Sequence, residues 1–91
     1  MNVKLLTALG LGSVVLGKVV VLPITPFVGL EIYEHVDGDG IPGDYGVDGE
    51  YTVTDVCCDL AASEIVCGVE TTLSKYPMDK QIIDLTRLGW S

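Results

Sequence analysis

Basic residues are scarce in this chain, with five lysines and arginines against thirteen aspartates and glutamates in 91 residues, and one histidine. Nucleic-acid binding draws most of its affinity from basic side chains that neutralise phosphates, so a formal net charge of −8 excludes nucleic acid as an expected partner. The sequence also lacks a nucleophile motif and a phosphate-binding loop. We therefore expect a chain that is not an enzyme and that has no small-molecule substrate.

Cysteine is also infrequent, and the three cysteines form neither a C-x-x-C pair nor a cluster with histidine. This spacing does not suit a zinc or iron–sulfur site. Because cysteine is one of the most frequently buried residues, we interpret Cys57, Cys58 and Cys67 as small core residues. A disulfide from Cys67 to one of the other two is the alternative. We expect no resident cofactor apart from the calcium considered below.

Acidic residues are absent from residues 1–30, which carry Lys4 and Lys18 and hence a net charge of +2. Residues 31–91 contain all thirteen acids and only three bases, for a net charge of −10. Charge and hydropathy divide the chain into three parts. We assign an apolar helical anchor to residues 1–30, an extended arm with an acidic loop to residues 31–51, and a helical region to residues 52–91.

The first part contains an apolar run of eighteen residues, from Leu5 to Leu22, in which Lys18 is the only charge. A membrane-spanning helix needs about 20 apolar residues, and this run suffices if Lys18 extends to the headgroup layer. A secretory signal peptide is a second interpretation, but no small-residue cleavage site follows. The third is a core segment whose helix is buried in an oligomer, with Val19–Leu22 as a strand. We favour the spanning helix, ended by Pro23.

Two pairs of small residues in this run, Ala8 with Gly12 and Ser13 with Gly17, have a spacing of four. On a helix, such pairs share one face and allow a second helix to approach closely. These four residues therefore form a predicted helix-packing site for a further copy or another subunit.

The segment from Asp37 to Glu50 combines five glycines with five acids and contains no base. Its run Asp37–Pro42 resembles the core of thrombospondin type 3 and EF-hand-like calcium repeats, in which oxygen ligands alternate with glycine turns. This resemblance places Asp37 and Asp39 at ligand positions, and together with the nearby Asp44 they are the candidate ligands of a weak calcium site. The alternative is a solvated, turn-rich acidic loop.

The C-terminal part shows helical periodicity over residues 52–76. The apolar stripe consists of Cys57, Ala61, Ile65, Val69, Leu73 and Tyr76. This spacing predicts an amphipathic helix, with a strand over Tyr51–Val56 as the competing interpretation. We also predict a short helix within Met78–Trp90 and a strand or extended arm over residues 27–36. The expected fold class is small and mainly α.

These features leave two main classes of function. The first is a non-catalytic structural or accessory subunit of a membrane-associated assembly, such as a minor virion membrane protein or a small subunit of a membrane complex. Since Lys4 precedes the apolar run, its N-terminus would be cytoplasmic and residues 31–91 would lie across the membrane. The second is a soluble self-assembling module, such as a small coat, tube or decoration protein, and a weak calcium-binding module is a further alternative. Both main classes imply protein partners that include copies of this chain.

Overall fold

A computed structural model describes all 91 residues, which form a five-stranded mixed sheet curled into a half-barrel, with one α-helix after it. The elements in chain order are β1 (Asn2–Leu9), β2 (Val14–Val21), β3 (Glu31–Val36), β4 (Val47–Asp59), β5 (Glu64–Thr71) and α1 (Met78–Arg87). Short 3-10 helices lie at Gly10–Gly12 and Thr72–Lys75. The strand order is β2-β1-β5-β4-β3, so β2 and β3 are the two edge strands.

β1 pairs antiparallel with β2 and parallel with β5, while β4 pairs antiparallel with both β3 and β5. The β1–β2 connection is a tight reversal in which Gly10, Leu11 and Gly12 all have positive φ angles, of 56°, 59° and 88°. Glycine adopts this left-handed region without the steric cost that other residues incur. Two glycines in three residues therefore allow the apolar run to fold back on itself.

The core lies on the inner face of the curled sheet, where alternate residues of each strand point inward. Its buried members include Val3, Leu5, Tyr51, Val53, Cys67, Val69, Leu85 and Trp90. Trp90 packs edge-on against Tyr51, with ring centroids 5.1 Å apart, and its Nε1–H donates a hydrogen bond of 3.0 Å to Tyr51 Oη. Burial raises the pKa of the Tyr51 phenol. The segment after α1 thus completes the core.

The predicted N-terminal spanning helix is wrong, because residues 2–21 form the β1–β2 hairpin. Five of the eight residues of β2 are valine, and β-branched side chains favour strands over helices. No helix in the structure has the length and hydropathy needed to cross a membrane. The predicted transmembrane topology, with a cytoplasmic N-terminus and residues 31–91 on the opposite side, is corrected by the same finding.

The amphipathic helix predicted over residues 52–76 is also wrong, because this stretch contains most of β4, the turn after it, β5 and a 3-10 helix. The carboxylate of Asp59 caps the turn by accepting hydrogen bonds from the N–H groups of Ala61 and Ala62, at 3.0 and 3.2 Å. Residues four apart also lie on the same face of a strand, because strand side chains alternate between faces with a period of two. The stripe was therefore compatible with a strand face, which is the form it takes in β5.

Strands account for 47% of the chain and helical residues for 19%, so the fold is mostly β and the predicted mainly α class is wrong. Two local predictions are confirmed. The strand expected within residues 27–36 is β3, and the short helix expected within Met78–Trp90 is α1. Tyr51–Val56, the competing strand interpretation, lies within β4.

Candidate functional site

The most distinctive surface of the molecule is the outer face of the β1–β2 hairpin, opposite the core. Val15, Val19 and Val21 of β2 point outward and are 58%, 63% and 74% exposed. Their β1 neighbours on the same face include the exposed Ala8, paired with Val15, and the half-buried Leu6, paired with Gly17. We call these five apolar residues, Leu6, Ala8, Val15, Val19 and Val21, the outer apolar face.

Charge is distributed unevenly over the sheet's outer surface, although Glu70 on the middle strand β5 is exposed beside Ala8. The hairpin half contains no acid, and Lys4 is the charged residue that pairs across from Val19. Outward-facing residues of β3 and β4 form the other half, which we call the acidic outer face: Glu31, Tyr33, His35, Asp48 and Glu50. The division of charge along the sequence thus becomes a division between two surfaces.

None of the four small residues predicted to pack helices lies on an α-helix. Ala8 and Gly17 lie on β1 and β2, and their strands share the outer surface. Gly12 and Ser13 belong to the reversal between the strands, where the Ser13 hydroxyl donates to the Leu9 carbonyl at 3.5 Å. The helical geometry that suggested this site is therefore corrected, while a role of these residues in self-association stays a prediction.

The three candidate calcium ligands, Asp37, Asp39 and Asp44, lie on the loop between β3 and β4. The carboxylates of Asp44 and Asp37 already have partners within the protein. Asp44 accepts hydrogen bonds from the backbone N–H of Asp39, at 2.9 Å, and from Arg87 Nη2, at 3.2 Å. These bonds, the Asp39 bond foremost, lower the pKa of Asp44. Asp37 instead lies 3.2 Å from Nε2 of His35. These and the other acidic, histidine and cysteine side chains form no group of three with metal-binding geometry, and calcium binding stays an untested prediction.

His35 is the centre of a small polar cluster on the acidic outer face. Its Nδ1 lies 2.6 Å from Asp48 Oδ1, and the Tyr33 hydroxyl donates to the same oxygen at 3.0 Å. The bond to Asp48 is the main cause that raises the pKa of His35, and it also lowers the pKa of Asp48. The carboxylate therefore favours the protonated imidazolium.

The His35 cluster predicts a specific pH dependence. A raised pKa in the folded state means that its contribution to stability is complete below the unfolded value of 6.5 and is lost as pH rises through the folded value. We expect the imidazole to titrate with a midpoint above 6.5, and Asp48→Asn to lower that midpoint more than Asp37→Asn. NMR titration of the ring resonances measures all three midpoints, and a midpoint unaffected by Asp48→Asn contradicts the assignment.

A polar cleft of about 600 Å³ lies between the β3–β4 loop and the C-terminal region. Three of the chain's five bases line it, but two of them have carboxylate partners within the molecule. Lys80 pairs with Asp84 at 2.8 Å, and Arg87 pairs with Asp44 at 3.2 Å. Lys75 lies over the Tyr76 ring, 5.3 Å from its centroid. The Arg87–Asp44 pair joins the loop to α1, and we assign the cleft a structural role.

The cysteines divide between core and surface. Cys67 is buried, as expected for a core residue, and burial raises the pKa of its thiol. Cys57 and Cys58 are exposed near the end of β4, so interpreting them as core residues is wrong. All three are free, and the alternative of a disulfide is corrected as well.

The outer apolar face was not among the surfaces predicted from the sequence, although its signal is present there. In the run from Val14 to Val21 the sequence is apolar on both strand faces, whereas a strand with one solvated face alternates apolar and polar residues. No protein-family model, curated protein or solved structure matches this chain. Its function is therefore argued from its surfaces.

Proposed function

We propose that this chain is a non-catalytic structural module that assembles with copies of itself through the outer apolar face, as a small coat, tube or decoration protein does. The observation that carries the proposal is the row of exposed valines on β2, namely Val15, Val19 and Val21. Single exposed apolar residues are ordinary, but contiguous apolar patches mark interaction surfaces.

The size of the core supports the need for a partner. Only 19 of 91 residues are buried, and small domains bury a lower fraction of their unfolded surface than large ones. Fully burying one valine side chain contributes roughly 1.5 kcal/mol or more. Three valines from each copy therefore supply a substantial driving force for association, from which the loss of translational and rotational freedom is subtracted.

The distribution of charge supports a second copy as the partner. Sheets of two copies can pack face to face at about 10 Å through their hairpins, as in a β-sandwich. That arrangement brings together the two acid-free hairpins, with Glu70 of β5 at the margin of the contact, and keeps the two acidic outer faces away from it. Association through the acidic outer faces would instead place like charges opposite each other, which costs free energy.

The salt dependence of association tests this proposal. Copies that each carry a net charge of −8 repel one another at long range, and salt screens this repulsion without weakening the apolar contact. We expect sedimentation velocity to show larger species as protein concentration rises, and a higher association constant at about 0.5 M than at about 0.05 M salt. A monomer at all concentrations and both salt levels contradicts self-assembly, and association that weakens with salt contradicts an apolar interface.

A further inference from the structure

The two edge strands of the sheet face each other across a gap. The Lys18 ammonium group on β2 reaches the Glu34 carboxylate on β3, at 2.7 and 2.8 Å to its two oxygens. No backbone pairing joins these strands, because β2 pairs only with β1 and β3 only with β4. We call the gap between Val20–Leu22 and Leu30–Glu34 the seam.

One side of the seam presents unpaired backbone groups of β2. Leu22 exchanges two hydrogen bonds with Met1, at 2.8 and 3.0 Å. In an antiparallel pair the bonded positions alternate, so the N–H and C=O groups of Val19 and Val21 point away from β1. Gly17 belongs to the same outward set, and its backbone exchanges hydrogen bonds of 2.8 and 3.0 Å with Ser91. The edge of β2 thus already accepts one antiparallel residue from the chain's own C-terminal segment.

The other side presents unpaired backbone groups of β3. The Leu30 carbonyl accepts a hydrogen bond from Val53 N–H at 2.9 Å, which places Leu30 among the residues directed toward β4. By the same alternation, the N–H and C=O groups of Glu31 and Tyr33 face the seam. β2 and β3 run antiparallel to each other, as follows from the pairings of the intervening strands. An inserted strand would find backbone donors and acceptors on both sides.

The side chains around the seam define what such a strand would contain. Leu22 is buried and Val20, Leu30 and Ile32 are half-buried, and together they line an apolar cleft of about 380 Å³. On the outer side lies the exposed carboxylate of Glu31. The one base beside the seam, Lys18, is held by Glu34 and by the Leu88 carbonyl. The inner side of the seam is therefore apolar apart from the Lys18–Glu34 ion pair, and its outer side presents the Glu31 carboxylate on β3 and the exposed Val21 on β2.

We propose that the seam binds an extended segment of a partner protein in which apolar and basic residues alternate. Successive side chains of a strand point to opposite faces of a sheet. The apolar ones would enter the cleft beside Val20 and Ile32, and the basic ones would face outward toward Glu31 and the Tyr33 ring. Antiparallel pairing with Val21 would use the β2 edge beyond the stretch where Ser91 pairs with Gly17 and Gly89 lies beside Lys18. This inference uses the strand edges and does not depend on the proposed assembly through the outer apolar face.

A labelled six-residue peptide of alternating valine and lysine is the probe. We expect fluorescence anisotropy to show binding to the full chain, and no binding of the matching valine–glutamate peptide. Val21→Pro removes an N–H that faces the seam, and proline is tolerated on an edge strand. It should weaken binding by about tenfold, the loss of one backbone hydrogen bond. Glu31→Gln should weaken binding several-fold and reduce its dependence on salt.

Val15→Pro is the matched control, because it makes the same change on the same edge but on the far side of Ser91, away from the seam. It should leave peptide affinity within about twofold, and circular dichroism melting shows that both proline variants fold. Equal affinity in the two variants, or no peptide binding to a chain that still self-assembles, overturns the seam proposal and leaves the proposed function intact.

Discussion

Replacing Val15 with aspartate is expected to dissociate the assembly of this protein into monomers. Val15 is 58% exposed on the outer apolar face, and its cross-strand neighbour Ala8 offers no charge to pair with. A carboxylate there must lose its hydration when two copies pack, which strongly penalises the contact. We expect the association constant to fall by roughly 100-fold or more, equivalent to about 3 kcal/mol. Sedimentation velocity at several protein concentrations measures the change.

The matched control for this variant is Ile83→Asp. Ile83 is also β-branched, is 60% exposed, and lies on α1 rather than on the hairpin. The same apolar-to-acid change should therefore leave association unchanged apart from the general effect of one added negative charge. Equal loss of assembly in both variants would show that net charge, and not the outer apolar face, controls association.

Replacing Trp90 with alanine is expected to cause the largest loss of folding stability among single substitutions in the C-terminal segment. The Trp90 side chain is 1% exposed, contacts the Tyr51 ring, and donates the hydrogen bond that Tyr51 Oη accepts. Truncating a buried tryptophan to alanine costs about 3–5 kcal/mol through lost burial and the resulting cavity. For a domain of this size, that corresponds to a fall in melting temperature on the order of 15 °C or more.

Trp90→Phe separates the two contributions of this side chain. Phenylalanine keeps an aromatic ring in the core but removes the Nε1–H donor. The loss of folding stability in Trp90→Phe should therefore be clearly smaller than in Trp90→Ala. Urea unfolding of the two variants and the unchanged chain provides the comparison. A Trp90→Ala protein that unfolds within about 0.5 kcal/mol of the unchanged chain would show that this segment is not part of the core.

The error at the N-terminal run has an identifiable physical cause. Hydropathy over residues 5–22 measures how much apolar surface must be removed from water, and it does not distinguish a helix from two strands. The distinguishing signals are local: the two glycines of Gly10–Gly12 and the valine-rich composition of β2. When these signals are given more weight than the length of the apolar run, they predict a hairpin.

The error over residues 52–76 has a different cause, since a repeat of four residues fits both a helix face and a strand face. The β4–β5 hairpin is also harder to predict because its register shifts between Val53 and Asp55. This shift changes the sheet face that the later residues of β4 occupy. A bulge of this kind interrupts the alternation on which strand prediction depends. The pairing of β5 with β1, more than 50 residues away in the sequence, is a tertiary contact that no local pattern contains.

The sequence by itself determined the properties that depend on neighbouring residues and on composition. These are the helix α1, the strand within residues 27–36, and the separation of an acid-free segment from an acidic one. Tertiary structure alone decided which distant residues meet: Lys18 with Glu34 across the seam, and Gly17 with Ser91 on the β2 edge. The reason is that curling the sheet is a collective result of strand pairing and core packing, whereas charge and local propensity are carried by each residue in any conformation.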